Sequence, residues 1–396
     1  MNEGGVSTDS KHHSGSSPWD SERMRILIFT SSGGTAHDAA AYALQSWLRR
    51  WDPDGEVWVE HVLENASLFT RAGVALYNWI QRHGPWMHQI YWRVVEFEDV
   101  TKPGTLLAGR FYIIRLLRRL QPDLLISTHP HINRGHFDLA RRVLPGLRCI
   151  TCCTELDGGF GFSRNWLTRQ AEAFWTLTPE VSQEVRRRGY RAMPAPAFGP
   201  LFDPAFEEVL HQPTRDQEAL PLLVLGAGAN GANNHTRLLD GLLPLAGRIR
   251  VIALCGRREA AQQQVKGWTL RHPQLAVEAL GFQGPAAMAR VYRDAWAMVA
   301  RPGARTATEA LAAGCVLIFN GFGTTMPQEL LARRYFQSRG IDSCIRRPAD
   351  LYRICIKWLE QPHHYLQLKA RVHQHRLATD HEAIRGLLLK GSHAAG

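Results

Sequence analysis

Ala300-Arg-Pro-Gly-Ala-Arg-Thr-Ala-Thr-Glu309, followed directly by Ala310-Leu-Ala-Ala-Gly-Cys-Val-Leu-Ile-Phe319, is the stretch from which the rest of the chain can be read. An apolar run over residues 295–299 stops at Pro302-Gly303, small and hydroxylated residues follow, and an Ala/Leu-rich segment opens around Glu309. That order predicts strand, loop, helix N-terminus. The free amides and the positive end of the helix dipole face the loop, which suits a diphosphate, and Glu309 is within reach of a ribose hydroxyl. An ordinary βα corner, with Glu309 favouring its own helix dipole, has the same pattern.

Upstream of this stretch the same alternation recurs. Leu220-Pro-Leu-Leu-Val-Leu-Gly226 reads as a strand, and Gly226-Ala-Gly228-Ala-Asn-Gly231 follows it, literally Gly-x-Gly-x-x-Gly. A dinucleotide fingerprint also requires an acid at the end of the next strand, roughly twenty residues on. That strand, residues 249–254, instead runs into Cys255-Gly-Arg-Arg258. The glycines, Gly228 among them, are therefore read as room for a phosphate or substrate in an interdomain cleft. Residues 277–280 and 295–300 are further strands, with a helix over 285–293 between them.

The N-terminal half opens in the same way. Met24-Arg-Ile-Leu-Ile-Phe-Thr30 is a short apolar strand, and Ser31-Ser-Gly-Gly-Thr-Ala-His37 is a small-residue loop leading into a helix over 38–50. His37 at that helix start is either a general base facing a crevice or a helix cap. Residues 122–130 and 148–154 are strands that bring His129 and Thr154-Glu155 to the same sheet edge. Glu155 there can orient an imidazole, contact an acceptor hydroxyl or cap the next element. A metal reading of His129, His131 and His136 is weak, because Pro130 interrupts them and no carboxylate joins them at helical spacing. Residues 76–93 are dense in aromatic and basic side chains. They suit a membrane interface, a single-stranded nucleic acid or a core-packed helical hairpin around Gly84-Pro85. Residues 110–119 place arginines on one side of an amphipathic helix.

At 396 residues the chain is long enough for two cores, and 45% hydrophobic with 21% charged residues is a globular composition. No apolar run approaches a membrane span. The formal charge of +11 implies an anionic partner, nucleic acid or an acidic membrane face. The 7 cysteines, three of them within residues 149–153, suggest buried thiols in a reducing compartment. Cys149-x-x-Cys152 lacks the second pair that a zinc site needs. The expected organisation is a disordered polar extension over 1–23 and a Rossmann-like acceptor and membrane-binding domain over 24–198. A proline-rich linker over 199–219 follows, then a second Rossmann-like, donor-binding domain over 220–360 and C-terminal helices with a frayed tail over 361–396.

Taken together, these motifs resemble the monogalactosyldiacylglycerol synthase and processive diacylglycerol glucosyltransferase family, related to the enzyme that adds N-acetylglucosamine to lipid I. Residues 31–37 look like its Gly-rich loop ending in an acceptor-side His, and Tyr77-Asn-Trp79 with Gly84-Pro85-Trp86-Met-His88 look like its lipid-proximal segment. Ile126-Ser-Thr-His129-Pro130 resembles its next strand end, Arg301 to Glu309 its donor loop, and Pro327-Gln328-Glu329 its sugar-reading turn. The resemblance implies an α/β protein of two Rossmann-like domains facing a cleft, the glycosyltransferase-B fold. It implies transfer, with inversion, of a hexose from a UDP-sugar to a lipid such as diacylglycerol at the cytosolic membrane face.

The roles it implies are residue by residue. His37 and Glu155 are catalytic, and Gly228, Arg301, Gly303, Arg305, Thr306, Glu309, Gln328 and Glu329 hold the donor. Tyr77, Trp79, Pro85, Trp86 and His129 lie toward acceptor and membrane. No metal or other cofactor is expected; the partners are the UDP-sugar, a lipid acceptor and an anionic membrane surface, with no nucleic acid. A UDP-N-acetylglucosamine-dependent transferase on another envelope acceptor, and a non-catalytic lipid-binding module, remain the alternatives. The chain departs from the family pattern at Glu155 for an Asp, Arg301 for a Lys, Ala304 for a Gly and Ala332 for an Asn. It also carries a Gly-rich insert between Glu155 and Trp166.

Overall fold

The structure, a computed structural model, describes residues 23–32, 35–83, 87, 107–213, 220–226, 234–322 and 325–389. Pro85, Trp86 and Gly228 lie outside the described residues, as do residues 1–22 of the expected extension. Two parallel sheets form. The first holds β1 (Arg25–Thr30), β2 (Glu56–His61), β3 (Leu124–Ser127), β4 (Arg148–Cys152) and β5 (Ala173–Trp175), in the order β2-β1-β3-β4-β5. The second holds β6 (Leu222–Leu225), β7 (Arg250–Leu254), β8 (Ala276–Leu280), β9 (Ala297–Ala300), β10 (Val316–Asn320) and β11 (Cys344–Ile345), in the order β11-β10-β9-β6-β7-β8. All the strand pairs of both sheets are parallel.

Helices alternate with the strands. The first half carries α1 (Thr35–Trp51), α2 (Val62–Asn65), α3 (Leu68–His83), α4 (Leu107–Leu120), α5 (His136–Val143) and α6 (Pro179–Arg187). After α7 (Pro204–Leu210), the second half carries α8 (His235–Leu242), α9 (Glu259–Arg271), α10 (Pro285–Asp294), α11 (Ala304–Ala313) and α12 (Glu329–Gln337). The chain ends with α13 (Pro348–Glu360), α14 (Pro362–Gln374) and α15 (His381–Leu389). Strands buried on both faces read as continuous apolar runs rather than alternations. In β1, Ile26 and Ile28 pack in the cluster with Leu44 and Leu48 of α1, while Leu27 and Phe29 pack on the other face with Ile113 and Leu117 of α4.

In an open parallel sheet a crevice opens at the strand C-termini where the winding reverses. The first sheet reverses between β1 and β3, the second between β6 and β9. These two points collect the loops singled out in the sequence: residues 31–32, 35–37 and Thr128-His129 at one, Gly226 and Arg301–Gly303 at the other. Gly226 is required there, since a Cβ on it would lie 2.9 Å from the Met298 side chain and 3.3 Å from the Val299 carbonyl of β9.

Two segments differ from the sequence reading. The proline-rich stretch contains α7, whose N-cap Asp203 accepts from Ala205 N–H with Pro204 in the first turn; it packs on α10. The C-terminal region does not simply fray. Ile384 and Leu388 of α15 are buried against the first sheet and α1, and the Arg148 guanidinium donates to the carbonyls of Leu387 at 2.9 Å and Leu388 at 3.2 Å. The last helix therefore crosses back to the first half of the chain.

The halves also meet beyond their cleft. Arg334 of α12 donates to Asp157 at 2.9 Å and to the Gly158 carbonyl, and Arg339 pairs with Glu180 at 2.5 Å. The Gly-rich insert is thus a docking surface for the helix that follows Pro327-Gln328. Gly161, at φ +98°, lies so close that a Cβ would sit 2.1 Å from the Pro327 carbonyl oxygen.

Candidate functional site

A cleft of about 1130 Å³ runs between the halves. From the first half it is lined by Ser32, Thr35, Asp38, Tyr42, His61 and Thr154, and from the second by Gly226, Arg258, Tyr292, Arg305, Thr306 and Glu309. On the second side, α11 starts behind N-cap Gly303, which has no side chain to cap the first-turn amides. Those amides are left for an occupant of the cleft, and the helix dipole makes the position favourable for an anion. Arg305 Nε donates to Glu309 Oε1 at 2.8 Å, one turn along the same helix, and the carboxylate holds the guanidinium pKa above its ordinary value. Tyr292, buried beside Glu309, has its hydroxyl pushed well up by burial and by that carboxylate.

The other donor residues form a second fork. Arg301 Nε and Nη2 reach Glu329 Oε1 and Oε2 at 3.0 and 2.5 Å, Nη1 donates to the Phe322 carbonyl, and Met326 N–H donates to Glu329 at 2.8 Å. The sequence reading placed Glu329 among the residues that hold the donor. It is only 3% exposed and both its oxygens are engaged, so it acts by holding Arg301 in a bidentate pair. Gln328 faces the first half, its amide donating to the Tyr77 hydroxyl at 3.1 Å. Arg301, Gln328 and Glu329 lie outside the cleft-lining set among the described residues.

On the first side, the switch point gathers imidazoles. His37 Nδ1 is 3.1 Å from Thr154 Oγ1, and its ring meets His129 edge-on at 4.6 Å between centroids and Trp166 at 5.8 Å. The His129 ring in turn lies tilted toward that of His131, with centroids 5.4 Å apart. Burial drives the pKa of His37, His131 and His136 down to about 4 and that of His129 well below the usual imidazole range, with neighbouring rings adding to the shift for His37, His129 and His131. For His37 a hydrogen bond from the ring to the Thr128 carbonyl opposes part of the effect. The cluster is neutral near pH 7. Among the described residues no group of three or more His, Cys, Asp or Glu is arranged to hold a metal ion.

Glu155 does not reach the His37 ring through any described contact; the side chain that does is Thr154. Glu155 is instead buried, and burial pushes its carboxyl up to about 7. The Trp166 indole N–H, which has no hydrogen-bond partner of good geometry, offsets a part of that shift. His37 is partly exposed at the start of α1, while Thr154, which lines the cleft, is only 7% exposed. The thiols behave as expected for buried cysteines, six of the seven being buried and Cys152 pushed up to about 12.

The sequence reading missed a polar group in the cleft wall. Ser32 Oγ lies 3.2 Å from His61 Nδ1 and Tyr42 Oη 3.1 Å from His61 Nε2, while Asp38 Oδ1 is 3.7 Å from Nδ1 and accepts from Thr30 Oγ1 at 2.9 Å. Glu64 accepts from the Ser31 hydroxyl and the Ser32 N–H beneath it. The sequence carries no local signal for it, since only the parallel register of β1 with β2 sets His61 beside Thr30 and the loop that follows.

Outside the cleft, α3 exposes Leu68, Phe69 and Trp79, and α4 exposes Phe111 beside Arg110 and Arg115. Tyr77 is half-buried and His129 is buried. Among the described residues no helix is long and apolar enough to cross a membrane.

Comparison with known proteins bears out the resemblance. Residues 37–201 match the monogalactosyldiacylglycerol (MGDG) synthase family. The chain is 22% identical to a probable chloroplastic monogalactosyldiacylglycerol synthase of Glycine max over 371 residues, covering 87% of this chain and 66% of the soybean protein. It is 22% identical to a processive diacylglycerol beta-glucosyltransferase of Bacillus cytotoxicus over 353 residues, covering 87% of this chain and 88% of that protein. Among solved structures, MurG of Acinetobacter baumannii superposes with a TM-score of 0.60 at 16% identity, covering 93% of this chain and 99% of that one. The UDP-GlcNAc 2-epimerase of Neisseria meningitidis superposes at 0.57 and 11% identity, over 92% and 99% of the two chains. The likeness to these structures fixes the glycosyltransferase-B fold.

Proposed function

We propose that the protein is a UDP-sugar-dependent glycosyltransferase that moves a hexose, with inversion, to the hydroxyl of a lipid acceptor such as diacylglycerol at a membrane surface. The observation that carries this reading is the juxtaposition of two sheet switch points across one cleft. One supplies an uncapped helix N-terminus with Arg305, Thr306 and Glu309, and the other a wall of hydroxyl, imidazole and carboxylate groups. The named relatives, a galactolipid synthase and a diacylglycerol glucosyltransferase, support the sugar and lipid classes.

The residues fit the chemistry. A diphosphate seated at Gly303–Thr306 meets the α11 amides and gives Arg305 a second anionic partner, so charge developing on the leaving UDP is stabilised by groups already oriented. Glu309 is left to accept from the ribose hydroxyls. Arg301, held in one orientation by Glu329, stands beside the donor loop without spending side-chain entropy on binding. Closure of the halves over the cleft, through the Arg334 and Arg339 pairs, excludes water that would otherwise take the sugar.

On the acceptor side, the exposed Leu68, Phe69 and Trp79 of α3 and the Arg110/Phe111/Arg115 surface of α4 are what an anionic lipid surface would bind, apolar rings below and arginines at the headgroups. These surfaces support the reading of a peripheral enzyme on the inner membrane face.

The test is transfer itself. Incubated with diacylglycerol vesicles and UDP-glucose or UDP-galactose, the protein is expected to yield a glycosyl-diacylglycerol of β configuration by NMR. No glycolipid from any UDP-hexose, or a product of retained configuration, contradicts the proposal. The membrane part is checked by flotation with anionic vesicles, where a Leu68→Ser/Phe69→Ser variant is expected to stay with the soluble fraction.

A further inference from the structure

One helix of the second half is shared between the cores of both. In α12, Ala332, Tyr335 and Phe336, at helical spacing, are buried in the core of their own half. Gln328, Leu331 and Arg334, three residues apart, form a second stripe that meets the first half. Gln328 donates to the Tyr77 hydroxyl at 3.1 Å, while Arg334 donates to Asp157 at 2.9 Å and to the Gly158 carbonyl. Between them Leu331, fully buried, joins the cluster of Cys153, Phe162, Trp166 and Phe174. Among the described residues every other member of that cluster belongs to the first half.

The stripe stands between the groups that the transfer would use. Glu329, next to Gln328 at the helix start, holds Arg301 of the donor loop in a two-bond fork. On the far side, the ring of Trp166 lies 5.8 Å from that of His37, and Cys153 precedes Thr154, whose hydroxyl is 3.1 Å from His37 Nδ1. Donor loop and His37 therefore sit on different halves, joined through one helix. The seat has no slack, since a Cβ on Gly161 would meet the Pro327 carbonyl just ahead of that helix. Displacement at a sugar carbon requires the reacting atoms to approach within about 3.5 Å, and an error of about 1 Å in placement costs about 100-fold in rate.

We propose that Leu331 and Arg334 are positioning residues of the transfer: Leu331 seats the donor half on the Trp166 cluster, Arg334 locks it to the Gly-rich insert, and together they fix the donor loop relative to His37. This inference rests on the transferase reading above and deepens it. In the step they position, the acceptor O–H bond breaks and its proton passes to the base at His37. The oxygen electron pair bonds the anomeric carbon, and the bond from that carbon to the diphosphate oxygen breaks with its pair leaving on UDP. Arg334 is a third exposed, so its ion pair adds little to stability and its weight lies in geometry.

The experiment measures transfer from UDP-hexose to diacylglycerol vesicles together with hydrolysis of the UDP-hexose, its KM, and the UDP-induced thermal shift of each variant. Leu331→Ala is expected to slow transfer about 100-fold and to raise the ratio of hydrolysis to transfer, with the donor KM and the UDP shift near wild type. Leu331→Met, close in volume, is expected to recover most of that loss. Arg334→Ala and Asp157→Ala are each expected to slow transfer about 10-fold, and the double variant no further than either alone, because both remove the same contact. A wild-type rate and hydrolysis ratio in either Leu331→Ala or Arg334→Ala overturns the assignment. So does a double variant that loses the product of the two single losses, or a loss confined to donor KM and UDP shift. Should Leu331→Ala fail to fold, Arg334→Ala and Asp157→Ala decide by the same ratio. A wild-type chain that transfers nothing from any UDP-hexose overturns the transferase reading and this inference with it, a result distinct from a wild type that transfers beside variants that do so equally well.

Discussion

The two switch points of this protein are built on the same topological rule and filled with opposite chemistry. At the β6/β9 edge the side chains are charged and already paired, Arg301 with Glu329 and Arg305 with Glu309. At the β1/β3 edge the imidazoles are held uncharged by burial beside a threonine hydroxyl, and the Glu155 carboxyl is raised to about 7, so that it is only half ionised near neutral pH. The difference matches what each side would meet. A diphosphate exchanges one set of anionic partners for another at small reorganisation cost, whereas a lipid hydroxyl arriving from an apolar phase is served by groups that carry no charge to be desolvated.

That contrast can be broken most severely at the charged edge. Glu329→Ala leaves a mostly buried Arg301 without its fork, and removal of one partner from a buried pair is strongly destabilising. The expected loss is about 3 kcal/mol in denaturant unfolding; a loss near zero would mean that water replaces the carboxylate there.

Acid acts on the neutral edge instead. His37, His131 and His136 titrate near 4 in the fold and about 6.5 when unfolded. The unfolded chain therefore binds more protons between those values, so their contribution is complete above about pH 6.5 and is lost as pH falls toward 4. Glu155 works the other way over about pH 4.5 to 7, favouring the fold when protonated, but it offsets one proton against several. Unfolding midpoints measured across this window are expected to fall with acidification, by up to about 1.4 kcal/mol per unit for each uncompensated proton. A flat profile contradicts the neutral-imidazole account.

A gentler change at the same edge sharpens the comparison. Thr154→Val removes one neutral hydrogen bond to His37 and is expected to cost about 1 kcal/mol, well below Glu329→Ala. The smallest effect belongs to the contact between halves. Arg334→Ala breaks a pair with Asp157 in which Arg334 is a third exposed, and its unfolding midpoint is expected to move by less than about 1 kcal/mol.

Much of this architecture was legible in the chain because it is locally encoded. Apolar runs ending at small or turn-forming residues named β1, β3, β4, β6, β7, β8 and β9, and the Pro302-Gly303 break with the Ala-rich run behind it named α11. What stayed hidden depends on register or long-range packing. Thr30 and His61 are brought side by side only by the parallel pairing of β1 with β2, so the group of Ser32, Asp38, Tyr42 and His61 has no local signature. Arg301 and Glu329 were both singled out, yet nothing in their spacing says that they bind each other. Asp203-Pro204 was a helix start concealed in proline-rich sequence. Ile384 and Leu388 gave α15 an apolar face whose partner lies over 300 residues earlier, at Ile26 and Ile28.

The central claim is that the cleft behind Gly303 receives a UDP-sugar through the α11 N-terminus and Glu309. The most direct measurement is the thermal shift of the wild-type chain and Glu309→Gln with UDP, UDP-glucose, UDP-galactose and UDP-N-acetylglucosamine, with NAD as the control. A ligand that binds only the native state stabilises it by about 2.7 kcal/mol at a hundredfold excess over its dissociation constant. The account predicts a clear wild-type shift with UDP, a larger one with a single UDP-sugar, none with NAD, and a much reduced shift in Glu309→Gln. A folded wild-type chain that shifts with no UDP compound, or whose shift survives Glu309→Gln undiminished, would contradict it.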